Sequence, residues 1–154
     1  MTIFFDIPPE YEDKVDDQAL RKNIELLMIN LDMDDSMSFT IAFMDDVSIR
    51  SINQQFRDVD APTDVLSFPS DEINPEDGSK YIGDILISMD TAERQSQEQR
   101  IDAVDELHLL IIHGLLHLLG YDHETDDQKS EMWQVQSKLL QILNCPADPD
   151  RYYL

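Results

Sequence analysis

An α+β fold is predicted for this 154-residue chain, and three observations predict it. Four short β-prone runs lie along the chain, apolar residues recur at helical spacing between and after them, and one leucine-rich segment is apolar on most sides of a helix. The expected result is a single domain over residues 1–154, with about four strands in one sheet packed by about five helices.

The elements follow in order. IFFDI, residues 3–7, is apolar and β-prone ahead of Pro8-Pro9 and reads as a short strand. From Val15 to about Asn30, Leu20, Ile24, Leu27, Met28 and Leu31 mark an amphipathic helix. SFTIAFM, 38–44, sets Phe39, Ile41 and Phe43 on one side against Thr40 and Ala42 on the other, as a half-buried strand does. Asp46 is placed to cap a helix whose Ile49, Ile52 and Phe56 share a face and whose end presents Arg57. The loop DVDAPTD then leads into VLSFP, and after a polar stretch comes GDILISM; these two β-prone runs are suited to pairing as neighbours. Asp90 with Glu93 resembles a capping box that opens a polar helix to about Arg100. The leucine-rich helix runs from about Asp102 to Leu119, is expected to be central and buried, and stops at Gly120, a residue that takes the left-handed conformation without strain. Thr125 and Gln128 match a further capping box, and Met132, Val135, Leu139 and Ile142 stripe the last helix.

Composition narrows the function classes. With 42% hydrophobic residues the chain can fill a core, and no repeat or low-complexity segment divides it. No apolar run is long enough for a membrane span, and MTIFFDIPPE lacks the basic and apolar regions of a signal peptide, so a cytoplasmic protein is expected. The single cysteine, Cys145, rules out an internal disulfide framework and suits a reducing compartment. A formal charge of -22, from 33 acidic and 11 basic side chains, repels polyanions and argues against a general nucleic-acid coat. Many of the acids fall in DDQ, DMDD, SDEINPED and ETDD, at the edges of periodic segments, where they read as solvated surface.

Residues 113–123, HGLLHLLGYDH, hold three of the four histidines. On a helix, positions four apart differ by about 40° around the axis and about 6 Å along it, so His113 and His117 point the same way from successive turns. His123, beyond Gly120, must be returned by the turn from another direction. Three neutral imidazoles leave a fourth tetrahedral position open for water, whose pKa falls to about 7 on such a zinc ion, which is an arrangement for catalysis. Any one of these histidines alone would read as a packing residue; three at this spacing are unlikely by chance, and several imidazoles in and beside a leucine-rich element are costly unless something coordinates them. The spacing matches the zinc-peptidase pattern H-E-x-x-H-x-x-G-x-x-H except that Gly114 stands where the general-base glutamate belongs. A peptidase would need a substitute base such as Glu124.

HGLLHLLGYDH, with FRDVDAPTDVLSFP upstream and GDILIS between them, resembles the YbeY family of metal-dependent endoribonucleases, bacterial rRNA maturation factors, over about residues 39–143. The resemblance implies a single α+β domain with a zincin-like metal site that acts on single-stranded RNA in late ribosome assembly and in 3′-end maturation of small-subunit rRNA. By position, His113, His117 and His123 would be the zinc ligands, one ion per chain, and Arg57 would match the family's functional arginine. A phosphorane gathers negative charge, and the arginine fork fits two phosphate oxygens; outside the family, Arg57 reads as a surface residue favoured by a helix C-terminus. The chain departs from the family after that arginine, where Asp58, Val59, Asp60 and Ala61 replace the glycine and lysines often found. Weak, strongly salt-sensitive binding of free RNA is therefore expected, with docking on a ribosomal particle or assembly factor supplying local concentration.

Asp64 and Asp84 are candidates to orient the imidazoles, or else strand-end hydrogen bonders. Tyr121 and Asp122 sit inside the histidine motif and can simply shape its turn. His108 points to another side of the helix and is left out of the site, Cys145 is expected to be inert, and Trp133 reads as helix packing. Zinc could polarise a phosphodiester or deliver hydroxide to it, and nickel, iron or cobalt could fill the same site. Two other readings stay open: a zinc metallopeptidase, and a non-enzymatic ribosome assembly factor whose metal braces the fold.

Overall fold

The computed structural model describes residues 2–150. Its elements, in chain order, are β1 (Thr2–Asp6), a 3-10 turn (Pro9–Tyr11), α1 (Asp17–Asn30), β2 (Met37–Met44), α2 (Asp46–Arg57), β3 (Val65–Ile73), β4 (Lys80–Ser88), α3 (Met89–Gln99), α4 (Ala103–Leu118) and α5 (Asp126–Ile142). The α+β class, the four strands and the five α-helices are as the periodicity predicts.

The strands form one sheet in the order β1-β2-β4-β3, with β1, β2 and β4 parallel and β3 running antiparallel along the edge. The alternation along β2 and β4 puts Phe39, Ile41, Phe43, Ile85 and Ile87 on one face, and these side chains are buried with those of α1 and α4 in the larger core cluster. The β3 and β4 runs do pair as neighbours, with Leu66 opposite Leu86 and Ser67 opposite Ile85. Pro69 costs β3 little because an edge strand can spare a donor.

Helix α4 explains why its sequence is apolar all round. Leu107, Leu110, Ile111, Leu115 and Leu118 belong to the cluster that lies on the sheet, whereas Leu109, Ile112 and Leu116 pack with Met132, Leu139 and Leu140 of α5. The helix is thus a middle layer between sheet and α5. It comes close to the strands at Gly114: a Cβ there would meet Ile85 Cγ2 at 2.8 Å and Ser67 Oγ at 3.2 Å. Ser67 Oγ instead donates to Gly114 O at 3.3 Å.

Two helix starts differ from the sequence reading. Asp45, not Asp46, caps α2, its carboxylate accepting from Ser48 N at 2.8 Å. Asp46 is then free to accept from the hydroxyls of Ser88 and Thr91, both at 2.6 Å, which ties the starts of α2 and α3 together. Ser88 caps α3 in place of Asp90, while Asp90 accepts from Asp46 N at 2.9 Å and Glu93 pairs with Lys14 at 2.8 Å. The Thr125/Gln128 capping box of α5 is present as predicted. Within α2 the expected apolar stripe is uneven: Ile49 is fully buried but Phe56 is 62% exposed, with its ring edge-on to Phe68 at 5.6 Å. No helix among the described residues is long and apolar enough to cross a membrane.

The pairing of β2 with β4 slips by one residue between Ser38 and Thr40, and that of β3 with β4 slips between Pro69 and Glu72. Gly83 sits at both irregularities, at φ +135°, where an added Cβ would lie 2.2 Å from Phe68 O. At Gly78 φ is +73° but the space is open. Gly83→Ala is therefore expected to destabilise by at least about 3 kcal/mol, and Gly78→Ala by only about 1 kcal/mol, as measured by urea unfolding. Equal losses would contradict this account of the sheet.

Candidate metal centre

His113 and His117 project from the last two turns of α4, and the chain then reverses. Gly120, at φ +97°, donates its N–H to His117 O at 3.1 Å, and Tyr121 N–H reaches back to Leu116 O at 3.0 Å. A left-handed residue after the helix satisfies its final carbonyls in this way. The turn carries His123 back, its own N–H capped by Asp122 Oδ1 at 2.8 Å. The three rings lie 4.7, 5.0 and 5.7 Å apart between centroids, and each ring offers a nitrogen within 4.8 Å of the others. Burial grades outward from His113, 5% exposed, through His117 to exposed His123.

Hydrogen bonds assign the tautomers. Gln136 donates its Nε2 to Pro149 O at 3.1 Å, so its Oε1 faces His113 Nδ1, 3.0 Å away, as an acceptor. Tyr121 O accepts from His117 Nδ1, also at 3.0 Å. Both rings thus carry their proton on Nδ1. Their Nε2 atoms face each other at 3.1 Å with lone pairs inward, an arrangement that repels itself unless a cation is shared. A tetrahedral ion with bonds of about 2.0–2.1 Å to nitrogen spaces its ligands about 3.3–3.4 Å apart, so the pair fits a metal with little movement. Burial, and after it the neighbouring His123, holds the His117 pKa below the ordinary histidine value, in favour of the neutral ligating form.

The histidines open onto a cleft of about 730 Å³ that Arg57, Ser67, Asp64 and Glu124 also line. Arg57 ends α2, where Asp58 takes the left-handed conformation at φ 58°. Its Nη2 donates to Ser67 O at 2.8 Å, and its guanidinium lies 5.3 Å from the Phe68 ring centroid. The arginine therefore reaches round the edge strand to the same cleft as the imidazoles. In the following loop, Asp60 pairs with Arg50 at 2.8 Å.

The sequence of this architecture has known relatives. The family described as Endoribonuclease YbeY matches residues 8–144, a longer span than the motifs alone cover. The chain belongs to that family. Proteins named Endoribonuclease YbeY are 39% identical over 125 residues in Persephonella marina, covering 80% of this chain and 78% of that one, and 37% identical over 138 residues in a Sulfurihydrogenibium species, covering 88% of each. A Thermotoga maritima protein solved in solution superposes with a TM-score of 0.63 at 30% identity, over 92% of this chain and 87% of that one.

The other candidates divide. Asp64 lines the cleft, but its Oδ1 accepts from Val65 N at 2.7 Å, and the Gln95 amide, turned nitrogen-inward, bridges its Oδ2 at 3.2 Å to buried Glu106 at 2.9 Å. Asp84 lies outside the cleft; it accepts from the Tyr81 hydroxyl, which also meets Thr40 Oγ1 at 2.6 Å. Burial, helped by Asp84, pushes the Tyr81 pKa up to about 12. His108 is apart from the trio, with Asn23 Nδ2 at 3.2 Å from its Nε2. Trp133 is half-buried on α5, as a packing residue is. Sequence reasoning missed Gln136, which orients His113. Its signal was a glutamine four residues after Met132 in the apolar stripe, at 0% exposure.

Partners that orient a ligating imidazole commonly contribute 10- to 100-fold in metal affinity. Gln136→Leu is accordingly expected to weaken zinc binding by about that factor while leaving the number of ions bound unchanged, measured by competition with a chromophoric chelator. Unaltered affinity would remove Gln136 from the site.

Proposed function

We propose that this protein is a single-strand-specific metallo-endoribonuclease in rRNA processing, acting in 3′-end maturation of small-subunit rRNA and in late ribosome assembly. One zinc ion per chain would be held by His113, His117 and His123, and other imidazole-binding metals could replace it. The observation that carries the reading is the convergence of three imidazoles and one arginine on a single cleft, in a chain of an endoribonuclease family. When bound, the ion supplies Lewis acidity. Arg57 keeps donors beyond the one given to Ser67 O, and these can receive phosphate oxygens as charge develops on them. The Ser67 contact and the Phe68 ring hold the guanidinium in place before substrate arrives, which is what electrostatic stabilisation of a transition state requires.

The metallopeptidase alternative fares worse on packing. A glutamate at position 114 would push against Ile85 and Ser67, so a general base there needs the strand beneath to move. Glu124 lines the cleft and is the remaining carboxylate for that role. A non-enzymatic assembly factor would need the metal only as a brace, although His123, exposed, leaves the cluster open to solvent on one side.

The test is zinc-reconstituted protein incubated with precursor small-subunit particles. His117→Ala is expected to abolish cleavage, and Arg57→Ala to lower its rate about 100- to 1000-fold with zinc content unchanged. Cleavage undiminished in a folded His117→Ala protein would overturn the nuclease reading, and zinc-dependent casein cleavage would favour the peptidase. With 33 acids against 11 bases, free single-stranded RNA is expected to bind weakly and to lose affinity steeply with salt. Nanomolar, salt-insensitive binding in an anisotropy titration would contradict that.

A further inference from the structure

A second group of metal-type donors lies elsewhere on α4. Asp105 and His108, three residues apart, share a face of that helix, and Cys145, just beyond the end of α5, comes to the same place. Each offers one ligand atom, and the three atoms lie within 4.8 Å of one another. We propose that Asp105, His108 and Cys145 form a second cation site, for a transition metal of the zinc class, which clips the first half of α4 to the segment after α5.

The chemistry of the set favours a metal over the other uses of such groups. A carboxylate, an imidazole and a thiolate are a donor mix that zinc and cobalt accept, and two anionic ligands would offset the charge of a divalent ion. His108 is 7% exposed, and burial lowers its pKa, so the ring is held neutral as a ligand must be. A nucleophilic or redox role for the cysteine fits poorly. Burial pushes its thiol up to about 11, and Sγ donates to Asp105 O at 3.4 Å, so without a metal it stays protonated. Binding would exchange that proton for the metal and release it to solvent.

The position gives the site a consequence. Cys145 N–H is fixed to Leu140 O at 2.9 Å, and a few residues further on Pro149 O accepts from Gln136, the residue that orients His113. A metal at Cys145 would therefore steady the stretch of chain that anchors Gln136. The proposal does not depend on the nuclease reading, because its ligands lie outside the three-histidine cleft.

Because the chain has one cysteine, any thiolate-to-cobalt absorption reports on Cys145 alone. Cobalt(II) titrated into reduced protein is expected to give that near-ultraviolet band, retained in His117→Ala and absent in Cys145→Ser. Apparent affinity read from the band should fall at least about tenfold in Asp105→Asn and in His108→Gln, with circular dichroism confirming that each variant is folded. No band at any cobalt level that saturates the three histidines would overturn the proposal. So would a band equally strong in Asp105→Asn and His108→Gln, since a solitary thiol would then be the whole site.

Discussion

Two imidazole nitrogens face each other at 3.1 Å, each with its other ring nitrogen already committed to an oxygen. That constraint orders much of the molecule. Gln136 has to come from α5, so α5 must pack on α4; Tyr121 O has to turn back toward His117, so the helix must end at Gly120. The folded core holds the two Nε2 atoms in place, facing each other. The same preorganisation favours a cation, because little rearrangement is left for binding.

The middle-layer position of α4 makes that rigidity possible. Its first imidazole is buried among leucines and isoleucines, and its sheet-facing side meets Ile85 and Ser67 so closely that position 114 has no room for a side chain. One glycine therefore does two things: it lets the helix lie on the strands, and it removes the position from which a peptidase base would act. Arg57 joins the same cleft from the end of α2, tied to edge strand β3 through Ser67 O. Fold and reaction class are coupled through this contact between helix and strand.

Much of this was legible in the sequence, for identifiable reasons. The spacing of His113 and His117 is set by helical period, and a glycine at 120 leaves few directions for His123, so the trio could be assembled on paper. The capping box at Thr125 and Gln128 is a local signal and was read correctly. Adjacent acids defeated the same reasoning at Asp45 and Asp46, since either can cap and only the tie from Asp46 to Ser88 and Thr91 decides between them. Gln136 and the pairing of Tyr81 with Asp84 depend on which elements pack or alternate together, information that no single window of sequence holds. The parallel order of β1, β2 and β4 is of the same kind: hydrophobic period fixes which face of a strand is buried, not which strand lies beside it.

The most direct test of this constraint is a long-range proton–nitrogen correlation spectrum of the histidine rings in metal-free protein at neutral pH. The account predicts the Nδ1–H tautomer for His113 and His117, with both Nε2 atoms unprotonated and both shifting when one equivalent of zinc is added. A proton on Nε2 of either ring, or Nε2 resonances indifferent to zinc, would contradict it.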